Sequence, residues 1–264
     1  MVKKPIDLAE VKPRFTVLLY GEPKVGKTTL AATAQYHPDM ADVLFLDLDK
    51  RLASVVSTPG IKVISIDDGD DMEEVIADLI SDSKNFDGIQ TVVVDSLTKW
   101  LTREKEALGL EGFDRKRKGQ HSRDELQIKD YAIVTSRITR LMSNLIDDER
   151  RHVILNAHKR VFYLDKNQTV VARRTFNANE ALVNNIASMF NNIWVLQRDN
   201  GKIKMLTQPM KQYMSGTSGN RFPVQLGETI ELVGSRDDND DLILTPNLSD
   251  IFSLYLQSEY SIGE

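Results

Sequence analysis

Short, nearly all-apolar runs recur along the chain. They are FTVLLY (Phe15–Tyr20), VLFLDLD (Val43–Asp49), IKVISI (Ile61–Ile66), TVVVD (Thr91–Asp95) and HVILNAH (His152–His158). With little polar alternation, such runs suit strands covered on both faces, as in parallel sheets. The stretches between them carry helical signals. KTTLAATAQY is rich in helix formers and is stopped by HPD. In MEEVIADLISDS, the residues Val75, Ile76, Leu79 and Ile80 fall on one helical face. LTKWLTREKEAL and YAIVTSRITRLMSNLIDD (Tyr131–Asp148) also read as helices, and EALVNNIASMF as a short one. This alternation predicts an α/β fold with a mainly parallel central sheet and helices on both faces. NIWVLQRDNGKIKMLTQ, turning at Asp199, Asn200 and Gly201, predicts an antiparallel hairpin at one edge.

The remaining segments frame this core. Residues 1–13 form a lead-in with two prolines, residues 14–233 the core, and residues 234–264 an acidic turn (SRDDNDD) followed by a short helix (LSDIFSLYLQS). Gly109–Glu125 has glycines, no apolar period and many cations, so it reads as a loop. KRVFYLDKNQTVVARRTFNAN is polar and irregular, either a hairpin or a mobile loop.

Composition narrows the classes. A chain of 264 residues can bury a stable core without staples. It has no cysteine, which excludes disulfides and thiolate zinc sites and fits a reducing, cytoplasmic setting. The net charge of -5 argues against a general nucleic-acid coat but leaves local patches open. No apolar run reaches the roughly 18 residues a membrane span needs. The N-terminus has charge but no apolar signal region.

The chemistry concentrates at GEPKVGKTT. Gly21, Glu22, Pro23, Lys24, Val25, Gly26, Lys27 and Thr28 match G-x-x-x-x-G-K-[ST], with Thr29 next. Glycines let such a loop wrap phosphates with its N–H groups, and the following helix adds its N-terminal dipole. Lys27 brings charge to the β- and γ-phosphates, Thr28 a hydroxyl to Mg²⁺, and Thr29 lies near the α-phosphate. The buried strand before and the helix after are the context the motif requires. ATP with Mg²⁺ is the expected ligand pair. Asp95, ending another buried run, is the Walker B candidate that holds the metal through water, with Ser96 beside it. As an alternative, Asp95 caps the next helix. Asp47 and Asp49 end a third run, and one of them is a candidate base for the attacking water. Asn156 and His158 end a fourth, where a polar group can sense the γ-phosphate. The cations Arg115, Lys116, Arg117, Lys118 and Arg123, with His121, make a local field for a phosphate backbone. Arg173 and Arg174, with Phe162 and Tyr163, supply cations and aromatics of the kind that stack single strands. The acidic IDDGDD and SRDDNDD stretches lack the length and terminal Glu of a calcium loop. The four histidines show no metal-ligand spacing.

In this order, the motifs resemble the core of RecA-type recombinases. The chain looks most like the small, core-only phage versions, AAA-domain nucleotide-binding proteins that act as single-strand annealing or recombination ATPases. The resemblance spans roughly Phe15 to Val233. It implies that Asp49 stands where these proteins carry a water-activating glutamate, and His158 where a glutamine links the γ-phosphate to a DNA loop. It implies DNA-binding loops at Gly109–Glu125 and Lys159–Asn179. GNRFP (Gly219–Pro223) is similar to the KNRFG motif of bacterial RadA, which makes Arg221 a candidate for transition-state charge at a subunit interface. The implied partners are single-stranded DNA, further copies of the chain in a ring or filament, and a single-strand-binding protein, in a host cytoplasm if the chain is phage-encoded. Two other classes stay open: a P-loop kinase of small molecules such as nucleotides, and an ATP-regulated assembly or loader protein with little turnover.

Overall fold

A computed structural model describes residues 14–56, 58–81, 83–115, 128–164, 167, 171–209, 212–217, 229–236 and 242–260. The apolar runs become β1 (Thr16–Gly21), β2 (Val43–Asp47), β3 (Lys62–Ser65), β4 (Thr91–Asp95) and β5 (His152–Tyr163). Around them lie α1 (Lys27–Ala32), α2 (Gly69–Ile80), α3 (Leu97–Arg115), α4 (Ile128–Asp147) and α5 (Glu180–Ala187). The chain continues through β6 (Val171–Phe176), β7 (Asn192–Asp199), β8 (Lys202–Leu206), β9 (Gly216–Thr217), β10 (Thr229–Arg236), β11 (Leu242–Thr245) and the C-terminal helix α6 (Leu248–Tyr260).

The sheet runs β11-β10-β8-β7-β1-β5-β4-β2-β3, with β6 paired to β5 and β9 to β7. From β7 to β3 every neighbour is parallel. From β7 outward, β8, β10 and β11 pair antiparallel. The mainly parallel sheet and its antiparallel edge are thus as the apolar pattern predicts. The carboxyl ends of β1, β2, β4 and β5 meet at one rim, where open α/β sheets gather ligands.

Strand alternation sorts β1 between two cores. Leu18 and Tyr20 join Val94, Leu155, Trp100, Ile138 and Leu182 on the face covered by α2 to α5. Val17 and Leu19 join Phe45, Ile154, Leu30, Ile251 and Phe252 on the face covered by α1 and α6. There Phe15 meets Trp194 and Phe252 at ring-centroid distances of 5.5 and 5.6 Å. The C-terminal helix is keyed to α1: the Leu248 N–H donates to Thr33 Oγ1 at 2.8 Å. Strand β10 crosses residue 233, and Leu244 and Leu248 beyond it are fully buried.

Four elements depart from the sequence expectation. β2 stops at Asp47, because the chain turns there: Lys50 takes φ 54° and its N–H donates to Asp47 Oδ1 at 2.8 Å. β3 is a sheet edge with exposed residues rather than a strand buried on both faces, and Val63 is half exposed. α3 carries on through Gly109 and Gly112 to Arg115, where a loop was expected. A helix already nucleated by TKWLTREKEAL absorbs two glycines at about 1 kcal/mol each. Finally, β5 runs five residues past the His158 end that its apolar run predicts; it pairs with β6, so of the two forms expected for the segment that follows, it is the hairpin.

Candidate nucleotide site and adjoining basic hairpin

The loop between β1 and α1 is built on tight backbone. Gly21 lies so close to β7 that a Cβ would collide with the Leu196 carbonyl oxygen. Gly26 caps α1 with φ 98°, a conformation that suits only glycine without strain. Glu22, Pro23 and Lys24 are exposed, while Val25 is buried beneath the loop. Lys27 is buried, and its ammonium donates to the carbonyls of Gly21 (3.2 Å) and Glu22 (2.8 Å). Burial lowers its pKa to about 8, against the pull of Asp95, Glu22 and Asp49. Thr29 is buried beside it.

Asp95 closes the other side. Thr28 Oγ1 donates to Asp95 Oδ2 at 2.6 Å. Burial raises the Asp95 pKa, and the Thr28 hydroxyl, Asn156 and Lys27 oppose that rise. Among the described residues no group of three or more His, Asp or Glu could hold a metal by itself. A hydroxyl beside one carboxylate instead suits Mg²⁺, which keeps waters and takes further oxygens from phosphate.

The two aspartates after β2 divide. Asp47 spends one oxygen on the Lys50 N–H of the turn, and burial raises its pKa. Asp49 reaches the site, where Ser96 Oγ donates to its Oδ2 at 3.1 Å. On β5, Asn156 stands opposite Asp95 in the parallel register and is fully buried, with no hydrogen-bond partner of normal geometry on either amide atom. The His158 imidazole is half-buried; burial and then Lys27 push its pKa down. Its backbone is fixed on both sides. The His158 N–H donates to Thr98 Oγ1 at 3.0 Å, and its carbonyl accepts from Asn177 N at 2.7 Å.

Past His158, β5 leaves the site and enters the hairpin. Lys159 pairs with Glu22 of the loop at 2.6 Å. The Arg160 and Arg173 guanidinium groups lie 4.6 and 5.5 Å from the Phe162 ring centre, and Arg174 lies 5.0 Å from that of Tyr213. Arg173 also approaches Glu180 at 3.6 Å. Tyr163 and Leu164 are exposed at the hairpin end. Of the other predicted cations, Arg115 is the last residue of α3. Lys116, Arg117, Lys118, Arg123 and the interface candidate Arg221 lie outside the described residues.

Three neighbours of the site take positions there that no motif spells out. Thr98, Lys159 and Tyr20 act through contacts far apart in sequence, and Tyr20 looks like one more apolar strand residue. A local signal existed only for Thr98, a hydroxyl three positions after the strand-end acid.

The AAA domain family matches residues 14–219 of the chain. No curated protein sequence matches it. The crystal structure of the RadB recombinase is similar in fold, with a TM-score of 0.47 and 17% identity, covering 83% of this chain and 86% of that one. No helix among the described residues is long and apolar enough to cross a membrane. With the family's model matching residues 14–219 and a P-loop seated on a mainly parallel sheet, the chain belongs to the AAA domain family.

Proposed function

We propose that the protein is an ATP-driven recombination or annealing protein that binds single-stranded DNA and works as an oligomer. The observation that carries this reading is the course of β5. One strand brings Asn156 and His158 to the nucleotide site and then becomes a hairpin holding Arg160, Arg173 and Arg174 against aromatic rings. Cations beside aromatics offer phosphate contacts and stacking planes to a single strand.

In this reading the loop from Gly21 to Thr29 holds ATP. Lys27 neutralises the β- and γ-phosphates, and Thr28 with Asp95 would hold Mg²⁺, whose contribution would be charge stabilisation at the phosphates. Asp49, kept in place by the Ser96 hydroxyl, accepts the proton of the attacking water. His158 reports the γ-phosphate to the hairpin. Arg221 of a neighbouring copy stabilises charge in the transition state, and the cations from Arg115 to Lys118 and Arg123 add to the DNA surface. ATP favours the DNA-bound form and hydrolysis releases it.

The test is ATP hydrolysis with and without single-stranded DNA, at low and moderate salt, alongside Lys27→Ala. Stimulation by DNA, lost in Lys27→Ala, is expected. Full activity in Lys27→Ala would overturn the nucleotide site. Hydrolysis indifferent to DNA would overturn the DNA reading, and phosphate transfer to a nucleoside monophosphate would replace it with a kinase.

A further inference from the structure

The residues on either side of Gly21 are both tied to the basic hairpin, by contacts of different character. Before the glycine, Tyr20 is fully buried, its ring edge-on to Phe176 at 6.3 Å. Its hydroxyl donates to the Met214 carbonyl at 2.7 Å and lies 3.2 Å from the Arg174 carbonyl. Those two carbonyls belong to one small unit. The Arg174 N–H donates to Gln212 O at 2.7 Å, and the Met214 N–H to Arg174 O at 3.0 Å. The Arg174 guanidinium reaches Gln212 Oε1 at 3.0 Å. One hydroxyl on the P-loop strand thus fastens both β6 and the 212–214 segment. A buried hydroxyl is stable only when so satisfied, and phenylalanine would fill the same space without the link.

After the glycine, Glu22 pairs with Lys159 at 2.6 Å, and Lys159 stands opposite Phe176 in the hairpin register. This second tie is half in water on the Glu22 side, so it is exchangeable. It also joins the catalytic lysine. Lys27 donates to the Glu22 carbonyl, while the Glu22 carboxylate holds Lys159. Phosphates entering the loop draw the Lys27 ammonium toward themselves and compete with that carbonyl. The backbone carrying Glu22 is then released from one of its two holds.

We infer that Tyr20 is a positioning residue that pins the hairpin to the P-loop strand, and that the Glu22–Lys159 pair is the switchable contact through which a nucleotide in the loop shifts the hairpin about that pin. This rests on the nucleotide reading of the loop and is independent of whether the hairpin binds DNA. Nothing remote need be transmitted, because the nucleotide loop and the hairpin are in direct contact on both sides of one glycine.

The experiment is amide hydrogen exchange of the full chain without DNA, with and without a non-hydrolysable ATP analogue and Mg²⁺, following peptides that span 159–163, 171–176 and 212–217. The wild-type chain is expected to change exchange in these peptides when the analogue binds. In Tyr20→Phe the analogue binds within about 3-fold of the wild-type Kd, yet its effect on 171–176 and 212–217 is lost. In Glu22→Gln, a change at an exposed side chain, the effect on 159–163 is lost. If both variants show the wild-type nucleotide response, the inference is overturned. It also fails if the wild-type hairpin ignores a bound analogue. Failure of the analogue to bind at all would instead sink the nucleotide reading beneath it.

Discussion

The hydroxyl of Thr28 and the carboxylate of Asp95 meet at 2.6 Å, bridging the first turn of α1 and the end of β4. β5 lies between β1, which leads into α1, and β4, so the pair depends on the sheet order and not on sequence proximity. Two oxygens so placed suit the Mg²⁺ site proposed above, which would leave further positions to water and phosphate. Asp95→Asn keeps the shape and removes the charge. It is expected to lower Mg²⁺-dependent hydrolysis by about 100-fold or more, while nucleotide binding without Mg²⁺ persists. Rates measured across a Mg²⁺ titration decide the matter, and an unaltered Mg²⁺ dependence would remove Asp95 from the metal site.

Lys27 gives a pH signature. Its pKa is lowered to about 8 by burial in the free protein. Phosphates favour the charged form, so binding takes up a proton wherever the free lysine is neutral. Affinity is therefore highest below pH 8 and falls as pH rises through it, approaching about tenfold per pH unit. Calorimetric titration of the ATP analogue between pH 7 and 9.5 reads this directly. Lys27→Met should bind weakly at every pH with no such slope, and a wild-type affinity flat to pH 9.5 would contradict the assignment.

Much of this site was legible in the sequence because its parts are local. A glycine-rich turn between an apolar run and a helix former announces its own geometry, and so does an acid closing TVVV. What the sequence hid depends on tertiary neighbours. By spacing alone LFLDLD leaves Asp47 and Asp49 both open, and only the resemblance points to Asp49; the Lys50 turn is what separates the one that closes the chain from the one that meets Ser96. The exposed edge at β3 cannot be told from a buried strand by IKVISI alone. The tie from Tyr20 to residues 174 and 214 has no local trace. Gly109–Arg115 reads as loop from its own glycines, because the cooperativity that extends α3 through them comes from the helix before it.

Gly21 is tested by a single methyl group. A Cβ at this position would meet the backbone carbonyl of Leu196, in the middle of paired strands that cannot easily move aside. Gly21→Ala is expected to destabilise the fold by about 3 kcal/mol. At Gly216 a Cβ would meet nothing within 4 Å, so Gly216→Ala serves as the control and should stay within about 1 kcal/mol. Denaturant midpoints of the two variants compare them directly. Equal midpoints would mean that β1 and β7 are less tightly joined than the register implies.

His152 sets a pH limit on stability. Its ring is buried at the start of β5, with Nδ1 accepting the Phe15 N–H at 2.9 Å and Nε2 lying 3.1 Å from the Asp39 carbonyl. This arrangement needs the neutral ring with its proton on Nε2, because a second proton on Nδ1 would face another donor. The edge-on Phe252 ring at 5.0 Å offers no compensation, and Arg14 and His37 nearby disfavour added charge, while Asp39 favours it. Burial is the largest cause, and the pKa falls to about 4 from an ordinary value of 6.5. The unfolded chain therefore binds the proton first as pH drops. The stability present above pH 6.5 is lost as pH falls toward 4, at most by about 3 kcal/mol from this one group. His152→Asn keeps a short acceptor for the Phe15 N–H and cannot titrate. It should be less stable than the wild type at pH 7, yet lose less stability between pH 7 and pH 5, where few carboxylates titrate. Urea midpoints at the two pH values measure the difference, and equal losses in both proteins would show that His152 is not the group that titrates.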